Sequence, residues 1–457
     1  MLANLRAELL ELVPDERRVS TSESVLDQHA QDLTYHERVP PDVVVFPETT
    51  AEVCAVLAYA NERGIAVTPF GAGTSLEGHV IPLQAGISLD LTRMDRVLEV
   101  RPGDLQTVVQ PGVPRSKLNE VAGAHGLFFP VDPGADATLG GMAATNASGT
   151  TTVRYGGMRA QVLALEVVLA SGEAIRTGSS TVKSSAGYNL TSLFVGSEGT
   201  LGVITELTLR LYGILDHVVA VRASFPDEGG ACRAAVAMIG TGIPVTRCEL
   251  IDGASIRTMN SFMGTAHPET PQLLIELGGS HAGVAGDLEL ARELAEGEGC
   301  TTFEAETDPT ERARLWEARH GALMALAAAA PGRRAYTTDV CVPLSQLPEA
   351  VALGRRLVDE TGLVGGIVGH VGDGNYHVAF MLDPGDPAEL ERAKRLNEQI
   401  VADALARGGT CSGEHGIGIG KQGFLEAEHG DTLPLQRGIK ALFDPAGILN
   451  PGKIFAA

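Results

Sequence analysis

Apolar and polar positions alternate along this chain in two distinct periods. Residues Leu2–Leu12 carry leucines at helical spacing and predict an amphipathic helix that opens the chain, with no signal or transit pattern before it. Val43-Val-Val-Phe46 is a short apolar run and predicts a strand. Thr49-x-x-Glu52 then fits a capping box, Val53, Val56, Leu57 and Ala60 share one helical face, and Gly64 ends it. Ile65–Thr68 predicts the next strand and completes a β-α-β unit. Further strands follow at Ile87–Leu91, Val97–Val100 and Thr107–Val109, then a helix over Ser116–Ala124. Val162–Leu169 and Glu173–Arg176, joined by Ser171-Gly172, read as a hairpin. Near residue 213 the pattern changes. Strands such as Val218–Phe225 and Leu273–Leu277 alternate with helices such as Gly229–Gly240 and Gly283–Glu296, which predicts a second α+β domain. A helix carrying Trp316, Arg319 and His320 and another over Ser345–Thr361 precede a histidine-rich stretch. The chain ends in a helix and a turn with two Asx-Pro stops, Asp444-Pro445 and Asn450-Pro451.

Composition narrows the function. At 457 residues, 44% hydrophobic and 20% charged, the chain is long enough for two or three folded domains. A net charge of −22 argues against nucleic acid and anionic membrane surfaces, and leaves a basic protein partner open. The six cysteines are scattered without a C-x-x-C and read as reduced thiols, not as a disulfide framework or an iron–sulfur site. No apolar run reaches the ~18 residues of a membrane span. These features predict a cytoplasmic protein, peripheral at a membrane only through a partner. The 55 glycines have no collagen-like period, so they should mark tight turns and places where backbone approaches a ligand.

Three glycine-rich stretches carry the candidate chemistry. Pro69-Phe-Gly-Ala-Gly-Thr-Ser-Leu-Glu-Gly78 follows a strand and can present backbone N–H groups to phosphate, with Thr74 and Ser75 as added donors. It lacks a Walker lysine and does not open a long helix, so neither a nucleotide-hydrolase loop nor a dinucleotide fingerprint fits. Thr138-Leu-Gly-Gly-Met-Ala-Ala-Thr-Asn-Ala-Ser-Gly149 is small and polar and suits a chain lying along an extended cofactor. The third stretch is His370-Val-Gly-Asp-Gly-Asn-Tyr-His377. A two-residue turn at Asp373-Gly374 would oppose His370 and His377, whose imidazoles could then hold a metal ion or a substrate carboxylate. Glu414 and His415 lie in a further glycine-rich turn, Cys411–Gly418, and His, His and Glu with an open position is a common catalytic metal set.

Taken in order, Pro69–Gly78, Thr138–Gly149, Lys183–Asn189 with Phe194–Ile204, Asp339–Pro343, His370–His377, Ser412–Gly418 and Asn450–Lys453 resemble the FAD-dependent D-2-hydroxy acid dehydrogenases of the vanillyl-alcohol-oxidase-type fold. The resemblance spans residues 40–455, and Tyr336–Pro343 with His370–His377 is closest to the D-lactate branch. It implies an α+β fold with an N-terminal helical segment at 1–36, a two-part FAD domain at 37–213, a cap domain with an antiparallel sheet at 214–425, and a C-terminal segment at 426–457 that returns to the FAD domain. It implies that FAD is bound by Pro69, Gly71, Ala72, Gly73, Thr74, Ser75, Asp132, Pro133, Thr138, Gly140, Gly141, Ala144, Thr145, Asn146, Ser148, Gly149, Glu198, Gly202, Val203, Ile204 and Asn450. The first loop has no histidine where some relatives attach flavin covalently, so non-covalent FAD is expected.

By motif position, His370, His377 and Glu414 match divalent-metal ligands, zinc or manganese. His415 matches the catalytic base and Arg319 a carboxylate-binding arginine. The implied reaction oxidises a D-2-hydroxy acid and hands electrons to a cytochrome, an electron-transfer flavoprotein or a quinone-linked carrier. Glycolate dehydrogenation as one flavin subunit of a complex and D-2-hydroxyglutarate dehydrogenation are the alternatives. Two departures weigh against the latter: Thr337 and Ala379 stand where the hydroxyglutarate branch has a lysine and an asparagine.

Overall fold

The computed structural model describes residues 2–456, which divide into two compact units. The first unit contains residues up to Ser148, Gly156–Ile214 and the chain from Glu414 onward; the second contains Gly149–Tyr155 and Leu215–Gly413.

Two sheets build the first unit. In one, the order is Val19–Ser20, Val43–Val45, Ile87–Asp90, Val67–Phe70, and Ile87–Asp90 runs parallel to both of its neighbours. Val43, Val44 and Val45 are all buried, as expected of a strand covered on both faces. Leu9, Val13, Val53, Val56, Leu57 and Ala60 pack in the same core. The helix Thr50–Arg63 starts where the Thr49 hydroxyl accepts from Glu52 N and ends at Gly64, whose φ of 62° suits glycine. The capping box is only half made: Glu52 turns instead to Glu48 N and to Arg18. The strand after this helix is Val67–Phe70, two residues later than its apolar run suggests. From the far end of the sequence, Val67 N donates to Ile448 O and Asn450 N donates to Val67 O, covering the open side of this edge strand.

The other sheet is antiparallel, in the order Val97–Arg101, Gln106–Val109, Val203–Arg210, Val162–Val168, Ala174–Gly178. Val109, Phe129, Leu139, Phe194 and Leu207 form its core, with Ile439 and Phe443 of the helix Leu433–Phe443 against it. In sequence the stretch after Thr138 reads only as chain suited to lie along a cofactor, with no element assigned to it. Leu139–Thr145 is a helix, because Leu139, Met142 and Ala143 at helical spacing have a core to enter. Gly140 lets this helix lie on Pro111.

The second unit holds one antiparallel sheet, in the order Thr302–Glu306, His217–Ser224, Gln272–Gly279, Val245–Ile251, Gly365–Gly369, Asn375–Leu382, Arg334–Thr337; Val340–Cys341 also pairs with Asn375–Leu382. On one face, Gly354 of the helix Leu347–Thr361 brings that helix against Tyr376, Ile367 and Val378. On the other, Ile256, Met259, Leu315, Trp316, Ala322 and Ala325 pack on Ile251 and Leu274. The short helix Thr152–Tyr155 also belongs here. Arg154 Nη1 lies 2.8–3.1 Å from Pro244 O, Thr246 Oγ1 and Gly278 O. Among the described residues no helix is long and apolar enough to cross a membrane.

Candidate active site

The histidine stretch forms a hairpin, but with another register. Val368 pairs with His377 and Ile367 with Val378, so continuing the ladder would set His370 opposite Asn375, not His377. The predicted two-residue turn needs positive φ at both central residues. Only Gly374 adopts it, at 89°, and the chain takes a wider loop in which His370 O accepts from Asp373 N and Asn375 N. The outer strand favours this register, since Cys341 pairs with Asn375 and Asn375 Nδ2 donates to Asp339 Oδ1 and Val340 O, each at 2.8 Å. The slip is by two residues, an even number, so both histidines keep the same face of the sheet. Their rings lie 5.5 Å apart, edge to face.

Buried acceptors stand behind this pair. His370 Nδ1 is 2.7 Å from Glu249 Oε1. His377 Nδ1 is 3.2 Å from Thr338 O and 3.6 Å from Asp339 Oδ1. Glu249 is 0% exposed, and its other oxygen lies 2.6 Å from Arg319 Nη2. Burial opposes its charge, but His370 and Arg319 outweigh burial and hold the carboxyl below its usual range. Arg319 is itself 8% exposed, and its Nε is a buried donor without a hydrogen-bond partner among the described residues. A buried guanidinium edge left open is costly unless something accepts from it. The helix Pro309–His320 delivers Arg319 here because Leu315 and Trp316 bury its inner face.

In the first unit the predicted cofactor residues converge from separate stretches. Pro69 is the last residue but one of the strand before the loop Gly71–Ser75, where Gly73 has a φ of 68° and Ser75 Oγ donates to Asp32. A Cβ on Gly71 would come within 2.5 Å of Thr138 Oγ1, and one on Gly199 within 2.9 Å of Pro69. Asp132 is buried, Pro133 half-buried, and Thr138 occupies the N-cap position of the helix that carries Gly140, Gly141, Ala144 and Thr145. Asn146 ends that helix at a φ of 53°, with Ser148 just beyond; Gly149 falls in the second unit. Gly202 lies against Val167, where Val203 and Ile204 open their strand.

Glu198 N donates to Ala144 O, while the Glu198 carboxylate accepts from Ile417 N at 2.7 Å and Gly418 N at 2.8 Å. Asn450 Nδ2 donates to His79 O and Glu198 O. Glu198 and Asn450 both hold positive φ, 53° and 40°, strain that this network sustains. His415 Nδ1 is 3.7 Å from Glu77 Oε1, which also lies 3.3 Å from Lys421 Nζ. His79 sits 3.4 Å from Glu198; burial resists charging its ring, but the Glu198 carboxylate prevails and raises its pKa. Sequence reasoning missed Glu77, His79, Glu249 and Asp339. Glu77 lies inside the glycine-rich loop Pro69–Gly78, His79 one residue past it, and Asp339 opens the stretch Asp339–Pro343; Glu249 has no such motif beside it. Glu414 starts the return segment, one residue after Gly413 ends the second unit.

Residues 214–454 match the family described as FAD linked oxidases, C-terminal domain, and residues 41–178 match the FAD binding domain. The chain belongs to the FAD-linked oxidases. This FAD-linked oxidase is 44% identical to the probable mitochondrial D-lactate dehydrogenase of Danio rerio, over 97% of the chain and 90% of that protein. It is 42% identical to the mitochondrial D-lactate dehydrogenase [cytochrome] of Arabidopsis thaliana, over 92% and 75% of the two chains. The glycolate oxidase subunit GlcD of Escherichia coli strain K12 is 33% identical, over 97% and 89%. The solved 4-ethylphenol oxidase from Gulosibacter chungangensis superposes with a TM-score of 0.79 at 20% identity, over 99% and 97% of the two chains. That likeness gives the fold: α+β, of the vanillyl-alcohol-oxidase type. The oxidase is an FAD-dependent oxidoreductase.

Proposed function

We propose that this FAD-linked oxidase oxidises a D-2-hydroxy acid, D-lactate first among them, to the 2-oxo acid, with FAD and a divalent metal, zinc or manganese. Electrons then pass to a separate acceptor, a cytochrome, an electron-transfer flavoprotein or a quinone-linked carrier. One observation carries the proposal. A buried arginine, whose Nε has no hydrogen-bond partner among the described residues, shares Glu249 with a histidine pair whose Nδ1 atoms face protein acceptors.

Imidazoles backed in this way are typical metal ligands, because the backing partner fixes the tautomer and aims Nε2. His370 and His377 suit zinc or manganese, and by motif position Glu414 is the further ligand that the family resemblance implies. The metal would supply Lewis acidity at the substrate hydroxyl, and FAD would supply the hydride acceptor. Arg319 grips the substrate carboxylate through its open guanidinium edge and fixes its plane. His415 takes the hydroxyl proton. Non-covalent FAD is held by the loop Gly71–Ser75, the helix after Thr138 and the turn at Glu198.

The substrate is read from two small residues. Thr337 and Ala379 are direct cross-strand partners, and Ala379 lies two residues beyond His377 on the same face. Around Ala379 are Leu326, Ala330 and Met381. Neither Thr337 nor Ala379 is a cation that would meet a second carboxylate, which supports a short monocarboxylic acid. The names of the Danio rerio and Arabidopsis thaliana relatives support D-lactate and, for the latter, a cytochrome acceptor. The GlcD relative supports glycolate as the second reading.

The test is anaerobic mixing of the FAD-loaded protein with D-lactate, L-lactate, glycolate and D-2-hydroxyglutarate, following loss of oxidised-flavin absorbance with and without a chelator. Rapid bleaching by D-lactate that the chelator abolishes is the expected result. Bleaching by glycolate alone moves the substrate to the second reading. No bleaching by any acid in metal-replete protein overturns the proposal.

A further inference from the structure

Glu249 touches both a proposed metal ligand and the proposed substrate arginine. Its two carboxylate oxygens are divided between them: Oε1 faces His370 Nδ1 at 2.7 Å and Oε2 faces Arg319 Nη2 at 2.6 Å. The arrangement follows from the fold. Leu250 pairs with Gly369 and Ile251 with Val368, and the same register carried one step further sets Glu249 opposite His370. Arg319 arrives from the helix Pro309–His320, seated on the same face through Leu315 and Trp316. The carboxylate has no exposed surface, so bulk solvent and salt screen it little from either partner. A fully buried carboxylate held between two charge-assisted partners responds as a unit when either is changed.

We infer that Glu249 is a positioning residue that couples the metal centre to the substrate-carboxylate anchor. It fixes the Nδ1–H tautomer of His370, which turns the Nε2 lone pair toward a metal, and it holds the Arg319 guanidinium by one nitrogen with Nε left open. Arg319 thereby acts on metal affinity without being a ligand, and the influence runs through Glu249. The inference rests on the reading of His370 as a metal ligand.

The measurement is zinc affinity of the FAD-loaded protein by competition with a chromogenic chelator, without substrate or turnover. Glu249→Gln keeps the volume and removes the charge. Its zinc dissociation constant is expected to rise about 10–100-fold, the usual effect of losing such a backing partner. Arg319→Ala is expected to shift the zinc dissociation constant in the native background, and that shift is to change at least threefold when Glu249 is already Gln. Glu249→Asp, which keeps the charge and shortens the reach, recovers part of the loss. If Glu249→Gln fails to fold, Glu249→Asp against wild type carries the test, with several-fold weaker zinc expected. Wild-type zinc affinity in Glu249→Gln, or in Glu249→Asp where that is the only folded variant, overturns the inference and leaves the metal reading standing. Equal Arg319→Ala shifts in both backgrounds do the same. A wild-type protein that binds no zinc or manganese overturns both.

Discussion

Gly374→Ala tests the loop that sets the two histidines. The residue has a φ of 89°, and an added Cβ would overlap the Val342 carbonyl oxygen. Val342 N donates to Gly374 O at 3.0 Å, so the two chains are held together at this point and the added Cβ has to push packed backbone aside. A left-handed conformation costs a residue with a Cβ ~1–2 kcal/mol. Displacing packed backbone adds ~1–3 kcal/mol. The sum is about 3 kcal/mol, and in a unit of roughly 200 residues each kcal/mol lowers the melting midpoint by ~2–4 °C. A fall of about 6–12 °C follows. Gly362→Ala is the control. Gly362 also holds a positive φ, 65°, but nothing lies within 4 Å of its missing Cβ, so it should lose only the conformational part. Far-UV circular dichroism melts of both variants and the wild type, loaded with FAD and zinc, give the comparison. The Gly374 variant is expected to melt at least about 2 °C below the Gly362 variant and to bind zinc more weakly. Equal midpoints with unaltered zinc affinity would refute the loop geometry.

His415→Ala should keep FAD and metal and slow flavin reduction by ~10²–10⁴-fold in stopped flow; unchanged reduction removes it as the base. Thr337→Lys should raise the rate of flavin reduction by D-2-hydroxyglutarate relative to D-lactate, since it sets a cation opposite Ala379; an unchanged ratio removes Thr337 from the substrate wall. Lys453, 3% exposed, is pushed down to about 8 by burial, against the pull of Glu198 and Asp32. Below pH 8 the folded protein carries the whole cost of its charge. Between pH 8 and 10.5 the unfolded chain keeps the proton that the folded chain has lost, so stability rises with pH by about 3 kcal/mol from this group. Lys453→Met should lack that rise in melts from pH 7 to 10, and parallel curves would contradict the burial argument.

Period and punctuation were enough to locate most elements, because those signals are local. Gly64, the run Val53 to Ala60 and the turn at Gly172 each act within a few residues. What escaped was decided from a distance. The register at His377 is set by Val340–Cys341 on the neighbouring strand, and the same hairpin sequence would satisfy a tighter turn in isolation. The stretch after Thr138 becomes helical because Leu139, Met142 and Ala143 meet a core built by residues 109–211. Glu249 lay in the strand Val245–Ile251 with no motif around it, and its role appears only when the sheet sets it opposite His370. Arg154 was equally silent: its helix lies in sequence among first-unit residues yet its partners begin at Pro244.

The pairing of Val67 with residues 448–450 has a consequence for how the chain is made. Val67 and Leu449 are bridged across roughly 380 residues. A ribosome working at ~5–20 residues per second needs roughly 20–75 s to cover that distance. During this interval the strand Val67–Phe70, at the margin of its sheet, lacks the segment that later covers it, and an open strand edge invites pairing with another nascent chain. The second unit has no such wait, since Gly149–Tyr155 and Leu215–Gly413 have all emerged before the return segment is translated. Biogenesis therefore favours an order in which the later-encoded unit matures first, and truncation before Ile448 leaves the nascent edge open for good.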